Sequence, residues 1–140
     1  MRALQRLLVV VVALLGFSGC SAGYGVDRGA YVAANEAILA ELPIFPGSTP
    51  IEEASTPYRK TEIGPVTGYG TRRVFQLPTA ASAADVTAFY TDRLGVGWAL
   101  VERLDGLVLN FRRGKARLSI NVDNWRVHQF EIFVDHASYG

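Results

Sequence analysis

The clearest signal in the chain is a strict alternation of apolar and polar side chains over its last third. Ala116, Leu118, Ile120 and Val122 interleave with Arg117, Ser119, Asn121 and Asp123. A period of two sends successive strand side chains to opposite faces of a sheet. Leu107, Leu109 and Phe111 alternate in the same way with Val108, Asn110 and Arg112, and Phe130, Ile132 and Val134 with Gln129, Glu131, Phe133 and Asp135. Trp98 to Arg103 leads into Asp105-Gly106, a tight-hairpin dipeptide, and Arg113-Gly114 and Asn124 mark the next turns. Together these predict a four-strand antiparallel meander with one covered face.

Upstream the period changes to that of a helix. Tyr31, Asn35, Ile38 and Leu42 form one stripe, widened by Val32 and Leu39, with Asp27 as cap and Pro43 as stop. A second helix opens at Ser82, which has capping-box spacing to Asp85. It buries Val86, Phe89, Tyr90 and Leu94, with Gly95 expected at positive φ after its end. Thr71 to Leu77 reads as a strand. In the segment 43–48, Ile44 and Phe45 are expected to dock on the core. Residues 49–70, rich in proline and glycine, read as a loop broken by one short strand around Tyr58 to Ile63. A connection of 22 residues is long for so small a domain, which favours either that strand or a function there. The expected fold is a two-layer α+β domain. It has an antiparallel sheet of about five strands, a helix on one face and an additional N-terminal helix.

Of the 140 residues, 49% are apolar and 19% charged, a globular profile for one domain. Part of the apolar excess lies at the N-terminus. Arg2 and Arg6 precede an uncharged run from Leu7 to Phe17, whose 11 residues would span about 16 Å as a helix. That is roughly half a hydrocarbon core, so the run suits the apolar centre of a signal peptide rather than a membrane span. Setting it aside leaves 12 basic side chains against 13 acidic ones. A near-neutral domain lacks the positive field on which nucleic-acid binding depends, and no nucleic-acid partner is expected.

Cys20 is the single cysteine of the chain and follows Phe17-Ser18-Gly19. This quartet resembles the lipobox of bacterial lipoprotein precursors. The resemblance implies a diacylglyceryl group on the Cys20 thiol, cleavage before that residue and attachment to a membrane outside the cytoplasm. The plainer competing reading is a secretory leader followed by an incidental free thiol. On the lipoprotein reading, residues 1–19 are the signal peptide, 20–26 a lipidated tether and 27–140 one α+β domain. The proline-rich segment, Phe89-Tyr90 and Gly97-Trp98 also look similar to small uncharacterised domains of bacterial envelope proteins, a likeness that implies no chemistry.

Catalytic and metal motifs are sparse. His128 and His136 lie eight residues apart, about 26 Å along a strand, too far to share one metal. A single cysteine excludes a thiolate zinc site within the chain. No nucleophile elbow, phosphate loop or dinucleotide fingerprint occurs. No catalytic residue, metal or cofactor is therefore nominated. The candidate binding residues are Arg112, Arg113, Lys115 and Arg117 around one hairpin, Arg126 after the next, Trp125 at that turn and Phe133 on the polar parity of the last strand. Basic groups beside large aromatics suit an anionic or interfacial partner: a lipid headgroup, a polyanionic polymer or an acidic protein. The competing reading is a solvated face whose arginines pair with Glu102 and Glu131. The pattern favours a non-catalytic, membrane-tethered binding module. A small-molecule carrier would instead need a cavity between sheet and helices, and a hydrolase would need a cleft with convergent ionisable groups.

Overall fold

A computed structural model describes residues 26–122 and 127–136. Helix α1 (Arg28–Glu41) starts where the Asp27 carboxylate accepts from the backbone N–H groups of Gly29 and Ala30, at 2.8 and 3.3 Å. Helix α2 (Ala83–Leu94) starts with a complete capping box: Ser82 Oγ accepts from Asp85 N–H, and the Asp85 carboxylate accepts from Ser82 N–H at 2.8 Å. Hydrogen bonds from the Ser82 side chain and then from its backbone hold the Asp85 carboxyl below its ordinary pKa of 3.8. Six strands complete the fold: β1 (Thr49–Arg59), β2 (Val66–Gln76), β3 (Ala99–Leu104), β4 (Val108–Arg113), β5 (Ala116–Asn121) and β6 (Gln129–Asp135). They form one antiparallel sheet in the order β1-β2-β6-β5-β4-β3.

The meander and both helices lie where the periodicities place them, but the sheet has six strands rather than five. The segment read as a loop is the hairpin β1–β2, and Tyr58 to Ile63 is its end and turn, not a separate strand. β1 is an edge strand with no buried residue, so it carries no alternation, and Pro50 and Pro57 are tolerated where one side has no neighbour. In the first half of β2, Gly68 and Gly70 interrupt the pattern. Gly95 remains helical at φ −57°, and the positive φ falls at Gly97 (+97°), because Trp98 N–H still bonds back to the Leu94 carbonyl. Asp105 (φ 48°) and Gly106 (φ 70°) are both left-handed, as the tight hairpin requires. Of the two side chains expected to dock, Phe45 does so and Ile44 stays 54% exposed.

Both helices lie on the same face of the sheet. α1 packs on β2 and β6, and α2 on β4. Beneath them, Leu109, Phe111, Leu118, Ile120, Ile132 and Val134 are at most 2% exposed. Each such side chain contributes about 1.5–3 kcal/mol over an exposed one. Phe75 and Phe130 stack across β2–β6 at 5.0 Å between centroids, while Phe45 meets Phe89 edge-on at 5.4 Å. Asn35 is the polar stitch in this apolar contact. Its Nδ2 donates to the Tyr69 carbonyl at 2.8 Å, and its Oδ1 accepts from His136 N–H at 3.0 Å. The α1 stripe thus contains one fully buried amide because three backbone and side-chain groups of the sheet need it.

Tyr90 is fully buried against Phe130, and its hydroxyl has no hydrogen-bond partner among the described residues. Burial pushes its pKa upward; the Phe45 backbone opposes this in part, without meeting hydrogen-bond geometry to the hydroxyl. Removing that oxygen removes a desolvated polar group without opening a cavity. Y90F is therefore expected to leave stability unchanged or raise it by up to about 1 kcal/mol, whereas Y90A costs about 3–5 kcal/mol. Urea denaturation monitored by circular dichroism checks both. A loss above about 1 kcal/mol in Y90F contradicts the unpaired hydroxyl.

Candidate functional site

The face opposite the helices carries the polar halves of the alternating strands. Strand register sorts its side chains into rows. One row runs Gly70, Asp135, Arg117, Arg112 and Ala99 from β2 to β3. The adjacent row runs Arg72, Phe133, Ser119, Asn110 and Glu102. Across these rows lies a cleft of about 540 Å³, walled by Tyr58 of β1 at one side and Val101 of β3 at the other. Val101 sits in the bulge where β3 slips by one residue against β4.

Asp135 is the buried member of the cleft, at 1% exposure, and Arg117 donates to its Oδ2 at 2.5 Å. The other oxygen, Oδ1, is buried with no partner among the described residues. Arg112 lies directly opposite Arg117 across β4–β5 and has neither an ion pair nor a hydrogen bond among the described residues. Two like charges in opposed positions of neighbouring strands repel. Glu102, in the next row, accepts from Asn110 Nδ2 at 2.8 Å.

The aromatic side of the cleft depends on a missing side chain. Phe133 and Tyr58 meet edge-on at 6.2 Å over Gly70. A Cβ at Gly70 would lie 2.6 Å from both Phe133 Cε2 and the Tyr58 hydroxyl oxygen. Glycine inside a strand is used here for close approach. Phe133 is therefore half-buried on the outer face rather than free.

The basic residues nominated from sequence do not form one patch. Arg112 and Arg117 share the outer face. Arg113 faces the other way, where it pairs with Glu41 of α1 at 2.9 Å and lies 4.5 Å over the ring of Trp98. Lys115 is exposed at the hairpin turn. Trp125, Arg126 and Cys20 lie outside the described residues. Glu131 pairs with Arg72 at 3.5 Å, and Arg72 also pairs with Glu52. The cross-strand pairs proposed for Glu102 and Glu131 with the basic hairpin are thus replaced by Asn110 and Arg72.

Sequence reasoning nominates neither Asp135 nor Gly70. Parity already placed Asp135 beside Phe133 on one face, and a glycine within an otherwise regular strand was the available sign of a close contact. The two histidines make separate contacts, one through its ring and one through its backbone. A ring nitrogen of His128, itself at φ 57°, is 2.8 Å from the Pro78 carbonyl, and His136 N–H donates to Asn35. Among the described residues no group of three potential ligands converges on a metal position, and no helix is long and apolar enough to cross a membrane.

G70A is expected to push Phe133 and Tyr58 outward and to cost about 1–3 kcal/mol, as overpacking does. Thermal unfolding, with the ring resonances of Phe133 as a local reporter, measures both. Unchanged ring shifts and unchanged stability contradict the packing described. A scan against protein-family models and searches of curated proteins and of solved structures find no match to the chain.

Proposed function

We propose that this chain is a lipid-anchored module of the bacterial cell envelope. In this reading a two-layer α+β body binds, without catalysis, a protein, lipid headgroup or polymer partner on its uncovered sheet face. The observation that carries the binding half is the cleft itself. Two arginines and two aromatic rings meet on a sheet face that neither helix covers. The anchoring half rests on Phe17-Ser18-Gly19-Cys20 and the short apolar run before it. Two acyl chains hold a protein on a bilayer where one binds only marginally. A tether over residues 20–26 reaches at most about 25 Å, which keeps the domain beside the membrane and raises its local concentration there.

Binding is favoured over catalysis because the buried carboxylate of the cleft is engaged by Arg117. One of its oxygens is taken up in a charge-assisted hydrogen bond before any ligand arrives. The second reading, a small-molecule-binding lipoprotein, has the cleft volume in its favour, since 540 Å³ lies within the range of ligand pockets.

Two experiments test these halves separately. Metabolic labelling with a fatty-acid probe should label the wild type and not C20S, and equal labelling of C20S ends the anchoring claim. A photo-crosslinking amino acid placed at Ser119, on the outer face, should trap a discrete adduct in native envelopes. The same group at Glu36, on α1, should trap none. Adducts from Glu36 alone would overturn the assignment of the binding face.

A further inference from the structure

The order of charge across the cleft narrows the kind of ligand. From β6 to β3 the ionisable side chains run acid, base, base, acid: Asp135, Arg117, Arg112 and Glu102. Their formal charges cancel, so attraction to a bulk anion is weak and recognition depends on arrangement. The two central guanidiniums face each other across one strand pair, and among the described residues only Arg117 of the two has an acidic partner. An oxyanion between them would remove the repulsion and receive forked N–H donors from both. The flanking acids ask for the opposite. Asp135 Oδ1 is a buried acceptor without a donor among the described residues, and Glu102 is held by a single Asn110 amide. A buried acceptor left unpaired is costly, and a ligand hydroxyl satisfies it.

We infer that the cleft binds a hydroxylated organic acid, namely a sugar unit carrying a carboxylate or a phosphate. The oxyanion bridges Arg112 and Arg117, hydroxyls beside it donate to Asp135 and Glu102, and the apolar side of the ring lies along Tyr58 and Phe133. A simple anion satisfies the arginines but sets its charge against both carboxylates. A neutral sugar satisfies the carboxylates and leaves Arg112 without a counter-charge. Only a ligand with both features answers all four side chains. This assignment rests on the outer face being the binding face and deepens the polymer form of that proposal.

The test is calorimetric titration of the full-length protein in uncharged polyoxyethylene micelles, with backbone amide shifts recorded in parallel. The probes are glucuronate, glucose 6-phosphate, glucose, acetate and inorganic phosphate. Glucuronate or glucose 6-phosphate is expected to bind at least about tenfold more tightly than acetate, inorganic phosphate or glucose, and to move amides over residues 110–119 and 133–135. Whichever of the two binds more tightly assigns the acid as carboxylate or phosphate. R112Q, a change at an exposed side chain, should weaken that binding at least about tenfold, and R93Q, an exposed arginine of α2 on the other side of the sheet, should leave it unchanged. Acetate or inorganic phosphate binding as tightly as the sugar acids would overturn the proposal, as would equal binding of glucose. Failure of all five probes while Ser119 still traps an envelope partner would overturn the ligand class and leave the binding face standing. Failure of both would overturn both.

Discussion

Everything distinctive in this domain follows from the two helices sharing one side of a six-strand sheet. An antiparallel sheet buries one set of alternating side chains when one face is covered. α1 and α2 divide that task between the β2–β6 and β4 regions, with Asn35 and Tyr90 at their contacts. The opposite face is then free to carry charged and aromatic groups, since stability comes from the covered side. The ion pair on that open face joins the buried Asp135 carboxylate to a guanidinium that stays 46% exposed, so solvent screens it and it adds little to stability. Asp135 and Arg117 thus belong to the open face and not to the apolar core beneath the helices.

The chain's legibility varied with how much each element obeys its own period. The meander was readable because β4, β5 and β6 sit inside the sheet, buried on one side only, and so alternate. Helix α2 was readable from its cap, and Ser82 and Asp85 do what their spacing suggests. The hairpin β1–β2 was not readable, because an edge strand with two prolines is exposed on both faces and leaves no pattern. Its partner spends Gly68 and Gly70 on close approach instead of on side chains.

The site was legible only in part for the same kind of reason. Counting basic residues along a hairpin cannot separate the two faces across which they alternate. Arg112 and Arg117 share a face because β4 and β5 pair in a register that sets them opposite each other. Arg113, one residue on, is turned toward Trp98 and Glu41. Phe133 was placed by parity, but its neighbour Tyr58 arrives from a strand far away in sequence. The constellation is a product of strand order, which no local pattern encodes.

A binding role for the outer face requires that face to be open to solvent in the free protein while the helix-covered face is closed. Solvent paramagnetic relaxation with an uncharged gadolinium chelate measures that difference residue by residue on the full-length chain. The side-chain resonances of Arg112, Arg117 and Asn110 should broaden strongly, while the methyl groups of Leu118, Ile120 and Ile132 should remain sharp. Equal protection of both sets would show that another element covers the outer face, and would contradict an open binding face.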